Sequence, residues 1–398
     1  MRIADRARRI EPFFVMEVAK AAREIEARLA PGDGPMIYLN IGEPDFTAPP
    51  RVQAAAERAI RDGHTQYTQA TGLQALRECI SGWYAQRFGV QIDSQRIIVT
   101  AGASAALQLA CLALVDPGDE ILMSDPGYPC NRQFVSAADG TPVLVLCGPE
   151  QRFQLSAAQV RAQWRDRTRG VLLASPSNPT GTSIAHEELQ AIVDAVRARH
   201  GITLIDEIYL GLSHDDAFGQ TALSLGEDVV SINSFSKYFN MTGWRLGWLV
   251  APATLAPAVE RLAQHLFICP STLSQRAALA CFEPESLAEY ESRRAEFRAR
   301  RDAFIPRLRA AGFQIPVLPD GGFYVWADCS AWCARLGLRD SWDFAFELMQ
   351  RAHIAITPGR DFGAHDTGRW IRFSTASSRT SLDEAASRLE RLWQALGG

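Results

Sequence analysis

Lysine is nearly absent from this chain. Its 398 residues include 41 Lys and Arg together, yet lysine occurs only as Lys20 and Lys237. Long apolar runs are missing as well: nothing approaches the ~18 apolar residues of a membrane span. The first residues are basic but have no continuous apolar core, so the pattern of a signal peptide is lacking. No C-x-x-C occurs among the eight scattered cysteines. Reduced, buried thiols in a cytoplasmic protein are expected. Neither G-x-G-x-x-G nor G-x-x-x-x-G-K-[ST] is present, so dinucleotide and P-loop readings lack their fingerprints. G-x-S-x-G is absent, and the seven histidines form no H-E-x-x-H or H-x-x-x-H pattern. No metal site is expected. The net charge of −4 is small, and no basic stripe supports a nucleic-acid or membrane partner.

What is present suits a large soluble fold. A chain of 398 residues exceeds the size at which one core usually stops growing, and 47% hydrophobic residues supply ample core material. The start reads as an extended segment followed by an amphipathic helix. From about Gln95 to Pro252, short apolar runs such as "RIIVT", "EILMS", "TPVLVL", "GVLLAS", "ITLIDE", "DVVSIN" and "LGWLVA" alternate with helical patterns. That alternation predicts an α/β fold with a mostly parallel sheet covered by helices on both faces. "PESLAEYESRRAEFRARRDAFIPRLRAAG" reads as a long charged helix exposed along one side. It sets a domain boundary near Phe282–Ser286. The strands and helices after it predict a smaller α+β domain. The expected division is a large domain over 46–284, with 1–45 and 285–398 forming the smaller one. The first 45 residues should pack on the smaller domain or across the cleft.

The lysine scarcity turns attention to "SINSFSKYFNMTGWRLGW" around Lys237. An amine can lose its proton and attack a carbonyl carbon, whereas a guanidinium stays protonated. A sequence that otherwise uses arginine therefore keeps lysine where amine chemistry or a tight fit requires it. Lys20, in a polar helical pattern, is the control and reads as a surface residue. Ser234, Ser236 and Arg245 stand near Lys237 and can donate to an anion; the alternative is a hydrophilic turn. "VTAGASAAL" puts Gly102, Ala103 and Ser104 between a strand end and a helix start, where free N–H groups suit a phosphate. Many small-residue turns look the same. Asp206 ends the apolar run "ITLID" and is either a cap or a site carboxylate, with Tyr209 three residues on. "SPSNPTG" places Asn178, Pro179 and Gly181 at another strand end, or forms a plain turn. A cofactor that needs a lysine amine, an acid for a ring nitrogen and an anion cradle is pyridoxal 5′-phosphate.

The strings "NIGEPDF", "YTQATGLQALREC", "VTAGASAAL", "DPGDEIL", "DPGYP", "SPSNPTG", "DEIY", "SFSKYFNMTGWRLGW" and "IRFSTA" occur in order along nearly the whole chain. In these the chain resembles the class I/II aminotransferase family of fold-type I pyridoxal-phosphate enzymes. The resemblance implies a ping-pong transfer of an amino group between an α-amino acid and a 2-oxo acid. Lys237 would form the Schiff base and shuttle the proton between Cα and C4′, and Asp206 would pair with the pyridinium nitrogen. Asn178 and Tyr209 would bond the ring's phenolic oxygen, and Tyr128 would stack on the ring. Gly102, Ala103, Ser104, Ser234 and Arg245 would hold the phosphate, with Ser236 a weaker member of the set. Tyr67 would reach the phosphate of a partner subunit, which implies a homodimer with shared sites. Arg372 would fork onto the substrate α-carboxylate, with Gly42 approaching it through its backbone and Asn178 beside it.

The nearest alternative is a pyridoxal-phosphate β-lyase on the same scaffold. A cofactor-sensing regulator would need a fused DNA-binding domain, and the ~40 residues before "NIGEPDF" hold no helix-turn-helix pattern. Side-chain selection is expected near Phe13–Phe14, Phe46 and Phe267–Thr272, which are largely apolar. With no spare arginine evident there, the expected amino donor is neutral or apolar rather than aspartate.

Overall fold

The computed structural model describes residues 2–12, 14–30 and 32–397. Twelve strands are present among them: β1 (Ile37–Tyr38), β2 (Ile97–Thr100), β3 (Glu120–Asp125), β4 (Thr141–Leu146), β5 (Thr168–Ala174), β6 (Ile202–Asp206), β7 (Val230–Ser234), β8 (Gly247–Val250), β9 (Tyr324–Asp328), β10 (Ile354–Ala355), β11 (Thr357–Pro358) and β12 (Trp370–Ser374). Seven of them form one sheet in the order β2-β8-β7-β6-β5-β3-β4. The pairs among β3 to β7 are parallel, and β8 runs antiparallel to both neighbours. The expected α/β sheet is therefore observed, with one reversed strand.

Apolar residues on both faces explain why these runs form central strands. Along β5, Leu172 joins the core cluster under the helix Ala103–Leu114, while Val171 and Leu173 join the opposite cluster under the helix His186–Arg197. Leu204 and Ile205 of β6 divide in the same way, as the two-residue pleat requires. Because β8 alone is reversed, the carboxyl ends of β2, β3, β5, β6 and β7 come out on one edge. Thr100 and Ser234 both pair with Gly247, and Ala174 pairs with Asp206.

A smaller assembly is built on the antiparallel sheet β11-β12-β9 and the parallel pair β1-β10. The helix Pro284–Ala310 joins the two parts. Its Tyr290 and Phe297 enter the core cluster containing Trp248, and its Phe304, Ile305 and Leu308 enter the cluster of the small sheet. Arg300 and Arg301 of this helix are buried rather than exposed.

The chain start differs from expectation. In place of an extended segment, Asp5–Arg9 forms a short helix with an acid in its first turn and three arginines in its last, which complements the helix dipole. Arg6 and Arg9 pair with Asp139 at 2.9 and 2.7 Å. The helix Phe14–Glu26 packs Val18 and Ala22 against Met349 and Ala355. No helix among the described residues is long and apolar enough to cross a membrane.

Candidate active site

The loops after the carboxyl ends of the central strands converge on one cavity of about 450 Å³. Lys237 follows β7 in a compact loop. Ser236 N donates to Ser234 Oγ at 3.0 Å, Met241 N to Phe235 O at 3.0 Å, and Asn240 Nδ2 to Lys237 O at 3.0 Å. Phe235 and Phe239 anchor this loop against Trp248, with ring centroids 5.0 and 6.3 Å away. The apolar anchors aim the amine into the cavity, where Lys237 Nζ donates to Gly42 O at 2.6 Å. Burial lowers the amine's pKa from 10.5 to about 8; the Arg372 and Arg245 charges add to the fall, while Glu43 and Asp206 oppose it. Lys20, by contrast, is exposed on its helix.

Asp206 at the end of β6 lines the same cavity and is 5% exposed. Burial raises its carboxyl to about 6, against the opposing effects of a 3.1 Å bond from Ile208 N and the Lys237 charge. The next residue, Glu207, faces away. It accepts from Thr221 Oγ1, Ser231 Oγ and Ala222 N at 2.8, 2.6 and 2.7 Å. It is a satisfied structural carboxylate. The Tyr209 hydroxyl meets that of Tyr324 at 2.9 Å. Burial, reinforced by Tyr324, holds the Tyr209 phenol well above its usual range, so it is a neutral donor.

Ala103, Ser104, Ser234, Ser236 and Arg245 line one part of the wall, where the helix Ala103–Leu114 begins. Gly102 lies directly behind, at φ +85°, and a Cβ there would collide with the Arg245 guanidinium. Free N–H groups of a helix start, three serine hydroxyls and an arginine together suit an anion. Tyr128 and Asn178 line another part. Arg372 of β12 is 3% exposed. Its Nη1 donates to Asn178 Oδ1 at 2.8 Å, and its Nη2 donates to Asn40 O at 2.6 Å and Thr357 Oγ1 at 3.2 Å. Its guanidinium lies over the Tyr324 and Phe362 rings, 4.4 and 5.0 Å from their centroids. Its Nε is buried without a hydrogen-bond partner. At Gly42 a Cβ would strike the Tyr324 hydroxyl, so only glycine brings this backbone to the cavity.

Twelve of the fourteen residues singled out in the sequence thus line one cavity, and Gly102 abuts it. Tyr67 is the exception: it is 81% exposed and lies on a separate surface depression with Gln66, Thr272 and Arg276.

The side-chain wall is not where it was expected. Phe13 lies outside the described residues. Phe14 packs edge-on to Trp342, Phe46 packs on Phe297 beneath Arg293 and Arg300, and Phe267–Thr272 lies away from the cavity lining. The wall is formed instead by Val15, Met16 and Ala19 of the helix Phe14–Glu26, with Ile41 and Ile208. Arg23 of that helix also lines it, so a spare arginine exists after all. Tyr324 and Thr357 were missed too. They sit on short strands whose approach to Arg372 depends on pairing across β11, β12 and β9. "GGFYVW" carried the one local hint, a tyrosine at a strand start after two glycines.

A family model described as aminotransferase class I and II matches residues 34–389. The chain is 39% identical over 390 residues to a valine–pyruvate aminotransferase of Mycobacterium tuberculosis, covering 98% of this chain and 97% of that protein. It is 33% identical to an aspartate aminotransferase of Geobacillus stearothermophilus, covering 99% and 100%. The crystal structure of an aminotransferase from Mycobacterium tuberculosis superposes with a TM-score of 0.93 at 38% identity, covering 99% of this chain and 100% of that one.

Proposed function

The chain belongs to the class I and II aminotransferase family and is an aminotransferase; from that premise we propose that it works with pyridoxal 5′-phosphate and moves amino groups from neutral or apolar α-amino acids to 2-oxo acids. The observation that carries this reading is the convergence of the Lys237 amine, the Asp206 carboxylate and the Arg372 guanidinium on one cavity.

The residues fit the cofactor. Ala103, Ser104, Ser234, Ser236 and Arg245 would hold its phosphate, with Gly102 keeping the Arg245 side of the cradle open. The buried Asp206 would pair with the ring nitrogen, whose proton offsets the cost of burying a carboxylate. Tyr209 and the amide nitrogen of Asn178 would donate to the ring oxygen, since Asn178 Oδ1 already accepts from Arg372. Tyr128 would stack on the ring. When bound, this cofactor supplies a carbonyl that exchanges amines and a ring that takes up electrons from the substrate Cα.

The chain's own side chains then do the following. Arg372 grips the substrate α-carboxylate, and the rings of Tyr324 and Phe362 packed against its planar guanidinium fix its orientation. Gly42 approaches the same carboxylate through its backbone. Gripped there, the substrate presents its Cα–H toward Lys237. The Lys237 amine, with its lowered pKa, would take that proton from Cα and pass it to the cofactor carbon that bears the nitrogen. Val15, Met16, Ala19 and Ile41 would receive an apolar side chain. The relative named for valine and pyruvate is in keeping with such a donor.

Two further parts belong to this reading. The chain divides into a large unit, 46–284, and a smaller one built from 1–45 and 285–398. The separate core cluster around Val325, Phe344 and Phe373 supports that division. Tyr67 serves the cradle of a second copy, so the enzyme acts as a homodimer with shared sites.

A donor panel tests the reading. Valine, alanine, methionine, phenylalanine and aspartate are each supplied with pyruvate or 2-oxoglutarate. Transfer should proceed with parallel double-reciprocal lines, and apolar donors should lead. A clear aspartate preference would remove the donor assignment. Release of ammonia in place of transfer would make the enzyme a lyase.

A further inference from the structure

We propose that Asp361 is a positioning residue for side-chain selection: it fixes the first turn of the helix Phe14–Glu26 to the stretch of chain that also holds Arg372. This rests on the aminotransferase reading above and deepens it at the same site. Val15 and Met16 are the second and third residues of that helix, and both line the cavity. The N–H groups of a first turn have no partner within their own helix. Without a cap the turn frays, and here fraying would take Val15 and Met16 out of the wall. Ala19, one turn deeper, would stay, because Val18 and Ala22 are buried against Met349 and Ala355.

The cap comes from far along the chain. Asp361 Oδ1 accepts from Phe14 N at 3.0 Å across 347 residues of sequence. Burial raises this carboxyl to about 6, against the opposing effects of the Phe14 N–H and the Arg372 charge. The partial positive charge of a helix start offsets part of the cost of burying a carboxylate. Next to it, the Arg360 guanidinium lies over the rings of Phe14 and Trp342, 4.4 Å from both centroids. Adjacent residues thus hold the backbone and the ring of Phe14.

The same stretch orients the α-carboxylate anchor. Thr357 Oγ1 accepts from Arg372 Nη2 at 3.2 Å, and the Phe362 ring packs on the Arg372 guanidinium. Gly359 turns the chain between them, and a Cβ there would strike Thr367 O and Trp370 O. Thr357 to Phe362 therefore sets the side-chain wall relative to the carboxylate anchor. A long apolar side chain needs both in register, whereas a methyl group depends chiefly on the anchor.

The test uses the holoenzyme with Asp361→Ala and Asp361→Asn. Calorimetry compares 4-methylpentanoate with propanoate, the unreactive counterparts of leucine and alanine. Kinetics compare leucine with alanine as donors. In Asp361→Ala, 4-methylpentanoate should lose roughly 3- to 30-fold in affinity relative to propanoate, the order expected for loss of a helix cap. The ratio of kcat/KM for leucine over alanine should fall to a similar extent, mainly through KM, with kcat for alanine little changed. Hydrogen exchange of residues 14–17 should quicken. Asp361→Asn keeps an oxygen that can accept from Phe14 N and should recover most of each effect. Unchanged ratios in Asp361→Ala would overturn the proposal, as would an equal loss for both acids, which a merely structural role predicts. If the wild-type enzyme moved no amino group from either donor, the reading of transamination would fall, while the two acids would still decide the role of Asp361.

Discussion

At Lys237 one atom would carry the proposed chemistry while many others fix its place. The aromatic anchors Phe235 and Phe239 are fully buried, and the 2.6 Å bond to Gly42 O holds the amine at the cavity floor. Arginine at this position would keep the charge but lose the nucleophile and proton carrier. Lys237→Arg should lower turnover by at least about 10³-fold, as loss of an acting acid–base group does, and should abolish the cofactor's lysine-bound visible absorbance. Full activity with that absorbance intact would disprove the assignment. The lowered pKa gives a second measurement on the cofactor-free chain. With an amine pKa near 8 in place of 10.5, about a tenth of Lys237 is neutral at pH 7, compared with well under a thousandth for an ordinary lysine. Only two lysines compete for an amine-reactive label. Mass-spectrometric labelling of Lys237 should rise through a midpoint near pH 8; a midpoint above 10 would mean that burial does not set its charge.

At the scale of elements, the helix Pro284–Ala310 carries the most consequence. Its pattern reads as a charged, exposed connector, but its arginines are the ties between parts. Arg300 forks onto Asp45 at 2.8 and 3.1 Å, donates to Ala376 O at 3.0 Å and to Glu296 at 2.9 Å. Arg300→Met should cost about 1.5–3 kcal/mol, because it removes the buried guanidinium's bonds to Asp45, Glu296 and the Ala376 carbonyl. Urea melting checks this; a loss below about 0.5 kcal/mol would make the tie cosmetic. Glu296 is held at about pKa 2 chiefly by its bond from Arg379, with Arg300 adding to it. Its folded pKa lies below the ordinary 4.5, so its contribution is present above pH 4.5 and is lost as pH falls toward 2. Glu296→Gln should therefore flatten the acid limb of the melting curve. A charged period alone does not reveal this, since a buried arginine and a surface arginine are the same letter until the partner segment is docked.

For the molecule as a whole, Tyr67 is the informative residue. It is 81% exposed beside Gln66, Thr272 and Arg276, and on the proposed homodimer reading it is free to reach a second copy. Light scattering should return twice the 43.8 kDa chain mass under assay conditions. Tyr67→Phe should speed loss of cofactor on dilution without changing that mass. A monomeric mass in fully active enzyme would rule out shared sites.

The sequence by itself determined the chemistry and the sheet. Alternating apolar runs specify strands buried on both faces, and each proposed catalytic residue sits within a few positions of a strand end. Local order therefore brings Asp206, Lys237, Asn178 and the Gly102–Ser104 turn to one edge as soon as the strands run parallel. One of only two lysines in an arginine-using chain pointed to the amine for the same reason, because nucleophilicity belongs to the residue type. Only the tertiary structure decided what surrounds the substrate side chain. The wall of Val15, Met16, Ala19 and Arg23 comes from a helix more than 200 residues away from Lys237, docked through Val18, Ala22 and the Asp361 cap. Nothing in that helix's own pattern says which face will meet a cavity. Amphipathic spacing specifies that a face is buried, and long-range packing chooses the surface that buries it.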